Sequence, residues 1–84
     1  MDEKTFGPRL RALRERIGGY SQEALAREAE LSTATVSKIE QGIADPSWTT
    51  VLKLFAALKA HLPELSLDAF TEDVPIERRG KRGK

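Results

Sequence analysis

Apolar residues recur along the first two thirds of the chain with a helical period. Phe6, Leu10, Leu13 and Ile17 form one stripe and predict a helix over 6–17. Thr5 is its expected N-cap. Pro8 falls in the first turn, where a missing amide costs nothing, and Gly18-Gly19 ends the helix. A second helix is predicted over Gln22 to Ala29, capped by Ser21, with Glu23 placed where the helix dipole favours a negative charge. Its inner face, Leu25, Ala26 and Ala29, is mostly alanine, so another helix can cross closely. A third helix runs from Ser32 as cap to Gly42 as stop. Only Glu30-Leu31 separates the second helix from that cap, and so short a link forces a steep crossing.

Pro46-Ser47 opens a fourth helix. Trp48, Val51, Leu52, Phe55 and Leu58 predict its buried face, and the tryptophan is expected to supply a large share of the core, since an aromatic buries ~150–250 Å². Leu54 lies off that stripe and hints at a second covered surface. Pro63 ends the helix near His61. The run PELSLDAF reads as a short fifth helix capped by Ser66 or as a strand, because Leu65, Leu67 and Ala69 alternate; the helix is preferred. From Thr71 onward apolar residues are few, and 71–84 reads as a flexible, disordered basic tail.

Composition narrows the chemistry. The 84 residues suffice for one small domain. No cysteine is present, which excludes disulfides and thiolate metal sites, and a single histidine, His61, argues against a histidine-built centre. No metal, no cofactor and no catalytic residues are expected: no pair of groups forms a nucleophile with its base. No run approaches a membrane span and no signal peptide opens the chain, so a cytoplasmic protein is expected, with no membrane partner. The net charge is only +1, but it is segregated. Arg9, Arg11, Arg14 and Arg16 cluster near the start and RRGKRGK closes the chain, a distribution able to meet a polyanion on one face.

The third helix carries the most unusual pattern. Val36 and Ile39 anchor one side; the other shows only Thr33, Ala34, Ser37 and Lys38. A plain solvated face is the bland reading, but such faces favour Glu, Lys, Gln or Arg over Thr and Ser.

The segments SQEALAREAELSTATVSKIEQG and PSWTTVLKLFAAL resemble the Cro/phage-repressor (XRE-like) family of helix-turn-helix proteins. The resemblance rests on Ser21-Gln22, Leu25-Ala26, Val36-Ser37 and Glu40-Gln41-Gly42. It implies an all-α, four- to five-helix, lambda-repressor-like bundle over 5–70. Thr33, Ala34, Ser37 and Lys38 would then meet base edges in the major groove, Lys38 at guanine O6 and N7 for ~1–3 kcal/mol of discrimination. Gln22, Gln41 and Ser47, with the amides from Gly42 onward, would meet backbone phosphates. Arg14 and Glu40, each four residues from a core position, are expected to form a partly buried salt bridge.

The chain departs from the family in three places. Gly18-Gly19-Tyr20 makes the first loop a residue longer. Glu30 stands where glycine is common, at a cost of ~1–2 kcal/mol if the position needs positive φ. The loop before the fourth helix has Asp45 and no basic residue, so a second, minor-groove reading element is not expected. The resemblance implies a transcriptional regulator, a repressor, binding a palindromic operator in double-stranded DNA as a homodimer, joined through the end of helix 4 and Leu62 to Phe70. Two alternatives stay open. One is an antitoxin of the HigA or HipB kind, which represses its operon and binds a toxin protein, with ELSLDAF pairing as a strand between subunits. The other is a protein-interaction module without DNA.

Overall fold

Four serines set the helix starts. In the computed structural model, which describes residues 6–71, the helices are α1 (Phe6–Arg16), α2 (Gln22–Ala29), α3 (Thr33–Glu40), α4 (Trp48–His61) and α5 (Leu67–Phe70). Ser21, Ser32, Ser47 and Ser66 all hold extended backbone at the N-cap. Their hydroxyls accept from the amides of Ala24, Thr35, Thr50 and Ala69 at 3.0, 3.0, 3.1 and 3.2 Å. Each cap satisfies an otherwise orphaned donor and contributes about 1 kcal/mol. Thr5, the expected cap of α1, lies outside the described residues, as does the basic run 78–84. Ile17 falls in the turn after α1, where its amide still bonds the Arg14 carbonyl at 3.1 Å.

The described residues form an all-helical bundle. α1 packs on α3 and α5, and α2 packs on α3 and α4. PELSLDAF folds as a turn followed by α5, with no strand among the described residues, because the Ser66 hydroxyl starts a helix at Leu67. The alternating reading fails on its own side chains: Leu65 and Phe70 are buried while Leu67 is half-buried and Ala69 exposed. The segment expected as a possible strand between subunits is helical in this chain. Phe70 is fully enclosed, edge-on to Phe6 at 5.1 Å and tilted against Phe55 at 5.9 Å. Thr71, the first residue assigned to the tail from composition, is buried, and its hydroxyl donates to the Leu67 carbonyl at 2.8 Å.

Two expectations for α4 are corrected. Leu54, placed off the stripe, is 0 % exposed, whereas Leu52, placed on it, is 39 % exposed. The buried set is Val51, Leu54, Ala57 and Leu58, with Trp48 and Phe55 only packed against its margin. Apolar residues occupy more than half the circumference of this helix, so periodicity alone allows the stripe to be drawn one position away from the true one. Leu62 and Leu65 are also inside the same chain.

At the end of α2, Glu30 adopts φ 61° and ψ 44°. The amide of Leu31 bonds the Ala26 carbonyl at 2.8 Å and that of Glu30 bonds Arg27 at 3.2 Å. This is the double closure that normally uses glycine, so the glutamate bears the left-handed strain of ~1–2 kcal/mol.

The loop between α1 and α2 is fastened by Tyr20. Its ring is buried and stacks obliquely on His61 at 4.5 Å. Its hydroxyl donates to Glu28 Oε1 at 2.6 Å, and His61 Nε2 meets the same oxygen at 2.9 Å. The loop, α2 and the end of α4 thus share one carboxylate. The Glu28 carboxyl is held below its ordinary range, chiefly by the Tyr20 hydrogen bond and then by that of His61. Burial, followed by the bond to Glu28, pushes the Tyr20 phenol up. A depressed carboxyl contributes stability that is present above its unfolded pKa and lost as pH falls through its folded one. Wild type should therefore lose stability relative to Glu28→Gln as pH falls below about 4.3. Urea denaturation of both proteins across that range measures the difference, and a constant difference would remove Glu28 from the clasp.

Candidate nucleic-acid interface

α3 is seated from three sides. α2 crosses beneath it through buried Leu25, Ala26 and Ala29. On α3 itself, Val36, Ile39 and Glu40 are the buried positions. α1 approaches the far end of α3 through Gly7: a Cβ there would stand 2.4 Å from the Ile39 carbonyl oxygen and 2.8 Å from that of Glu40. The amino end of one helix therefore rests on the carboxyl end of another, an arrangement the two helix dipoles favour. α3 closes with Gly42 at φ 79°. The Ile43 amide bonds the Lys38 carbonyl at 2.9 Å and the Gly42 amide bonds Ile39 at 3.0 Å.

Beneath α3 lies a polar network. Arg14 grips Glu40 with two nitrogens, Nε to Oε2 at 2.7 Å and Nη2 to Oε1 at 3.2 Å. Nη1 donates to the Tyr20 carbonyl at 3.0 Å. Gln22 Nε2 donates to Glu40 Oε1 at 2.9 Å. Glu40 is 7 % exposed, so its charge is withdrawn from water and compensated almost wholly by these donors. The hydrogen bond to Glu40 holds the Arg14 proton more tightly than usual, while desolvation acts the other way. α1 and the head of α2 meet α3 at this one carboxylate, and Arg14 ties the first loop to it.

The opposite face of α3 is open. Thr33, Ala34 and Lys38 are exposed and Ser37 is half-buried. The groups named from sequence as base contacts therefore share one surface. Gln41 stands at its edge, with Nε2 donating to the Ser37 hydroxyl at 2.7 Å, so these two side chains restrain each other. Ser47 is engaged as the cap of α4, and its hydroxyl also donates to Thr50 Oγ1 at 3.0 Å. Gln22 is the first residue of α2 and is half-buried through its bond to Glu40. Of the other early arginines, Arg11 pairs with Glu15 at 3.0 Å and Arg16 with Glu64 at 3.3 Å, both on the surface.

Three features escape a reading of the sequence. The Gln22–Glu40 bond joins residues whose individual roles are legible but whose contact is tertiary. Ile43, directly after the Gly42 turn, is 69 % exposed and is the most exposed large apolar side chain among the described residues. Gly7 did carry a signal: a glycine inside a helical pattern costs ~1 kcal/mol against alanine and so suggests a packing reason.

Gly7→Ala should destabilise the fold by about 1–3 kcal/mol despite alanine's better helix propensity, because backbone carbonyls must move. Chemical denaturation checks this, and a stabilised variant would refute the close approach. Arg14→Met alone should cost about 3–5 kcal/mol by stranding the Glu40 charge, whereas Arg14→Met with Glu40→Leu should recover most of that loss. The same measurement on the three proteins decides; equal losses in the single and double variants would show that the charge is not the cost.

Among the described residues no helix is long and apolar enough to cross a membrane, and no group of acidic residues and histidine is arranged to hold a metal ion. No curated protein and no solved structure matches the chain. A family model described as a helix-turn-helix domain matches residues 5–67, which includes α1 to α4 and the start of α5. With α2 and α3 forming the crossed pair and a DNA-binding regulator as the role this domain indicates, the chain belongs to the helix-turn-helix domain family.

Proposed function

We propose that the protein is a sequence-specific transcriptional regulator of the Cro/phage-repressor kind, a repressor that binds a two-fold symmetric operator as a homodimer. The observation that carries this reading is the two-sided character of α3. Its inner side is fixed by Val36, Ile39 and the Glu40 network, while its outer side presents short groups and one long cation. Short side chains let the helix backbone lie close to base edges; Thr33 and Ser37 donate or accept, and Ala34 suits a thymine methyl. Lys38 is the exposed reach of that surface, toward guanine O6 and N7. Gln22 at the head of α2, Gln41 beside Ser37, and the region of Ser47 flank it as phosphate contacts.

A single module of this size makes few base contacts, which favours a pair of copies presenting α3 to half-sites ~34 Å apart. The Leu62 to Phe70 segment offers less to such a pairing than its sequence suggests, because Leu62, Leu65 and Phe70 lie inside one chain. The outer side of α4, where exposed Leu52 stands four residues from Trp48, is the better contact.

Selection of random duplexes on the purified protein should return a symmetric site; sequences without two-fold symmetry would defeat the dimeric-operator reading. On that site, Lys38→Ala should cost ~1–3 kcal/mol and relax the preference at one base pair per half-site. Uniform weakening on all duplexes, with a smaller salt slope, would instead make Lys38 a phosphate contact.

A further inference from the structure

The Gln22 amide is held at one end by a group that can only accept. Glu40 Oε1 receives both Arg14 Nη2 at 3.2 Å and Gln22 Nε2 at 2.9 Å, while Oε2 receives Arg14 Nε at 2.7 Å. An ionised carboxylate has no proton to offer, so the amide must turn its nitrogen toward Glu40 and its oxygen away. The nitrogen keeps a second hydrogen free of that bond. Gln22 is also the first residue of α2, ahead of the first intrahelical bond, from the Leu25 amide to the Ser21 carbonyl at 3.0 Å. Its side chain therefore stands beside the helix-end amides that attract phosphate. Glu23, in the same first turn, brings an exposed negative charge that opposes an anion there. That opposition gives a correctly turned amide more to contribute.

We infer that Glu40 is a positioning residue for DNA binding: its carboxylate, itself fixed by Arg14, sets the orientation in which Gln22 donates to a backbone phosphate. This rests on the reading of Gln22 as a phosphate contact and assigns that contact's geometry to a residue on the reading helix. The pose of α3 and the grip on the backbone then share one anchor. Rotation of α3 that moved Glu40 would release Gln22, so a misplaced reading helix would also lose a phosphate.

The test is a double-mutant cycle in the full chain with Gln22→Ala and Glu40→Gln, on a duplex of arbitrary sequence where base readout by α3 does not count. Glutamine at 40 keeps the size but offers either an oxygen or a nitrogen, so Gln22 loses its fixed orientation. Each single substitution should weaken binding about tenfold, and the double variant should be no weaker than either. Losses that multiply to about a hundredfold would overturn the inference. A second measurement needs no variant. The chain has two glutamines, Gln22 and Gln41, and no asparagine, so its side-chain amide NMR spectrum holds two pairs of signals. One Gln22 proton should exchange with solvent more slowly than in a free glutamine; both exchanging at the free rate would refute the fixed orientation. Wild type that binds no duplex at all would sink the DNA-binding reading, while a protected Gln22 proton in that same protein would still show the amide held by Glu40.

Discussion

The structure depends on one buried carboxylate. Glu40 sits at the last turn of α3 and takes hydrogen bonds from α1 and from the head of α2, while the arginine that holds it also holds the loop between them. Apolar contacts at Val36 and Ile39 give α3 affinity for the body, but they are non-directional and would tolerate some roll about the helix axis. A planar guanidinium meeting a planar carboxylate through two parallel bonds does not. Burying the pair carries a desolvation penalty that an apolar replacement of the same volume would avoid. What the pair supplies in exchange is an angular reference for the helix whose outer face faces solvent.

The other constraints act in the same direction. Gly7 removes the one side chain that would hold α1 away from the end of α3, and Gly42 turns the chain sharply out of α3. Ala26 keeps α2 near. Glu30 is the exception, a strained residue where glycine would relax the backbone. The strain is tolerated because the turn is overdetermined: both closing hydrogen bonds form, and Leu31 packs against the core immediately afterward.

How much of this was legible in the sequence differs by kind of interaction. Helix starts were readable because a serine cap is a local event, settled by the three residues that follow; Ser21, Ser32, Ser47 and Ser66 all act where the pattern places them. The stripe of α4 was misdrawn because Leu52 and Leu54 are equally apolar, and only the neighbours decide which one is covered. Tyr20, Glu28 and His61 gave no signal, since residues 20 and 61 are joined by the fold alone. At the candidate site, the surface of Thr33, Ala34, Ser37 and Lys38 followed from the anchors on the other side of the same helix. The coupling of Gln22 to Glu40 did not, because it runs between helices and depends on a crossing angle that spacing does not specify.

The division of α3 into a fixed side and a sparse side has a consequence for how such a protein discriminates. Thr33, Ala34 and Ser37 offer few hydrogen-bonding groups, and Ser37 is partly occupied by Gln41. On the proposed reading, direct readout by this helix rests largely on Lys38, and a single lysine specifies little of an operator. On that same reading, the remainder would come from how readily a given sequence brings its backbone to the contacts around the helix, which is readout by shape and deformability. That mode demands phosphate contacts with fixed positions, since a mobile contact would follow any backbone and reject none. A buried network that orients both the reading helix and the side chain at the head of α2 is the kind of rigidity it requires.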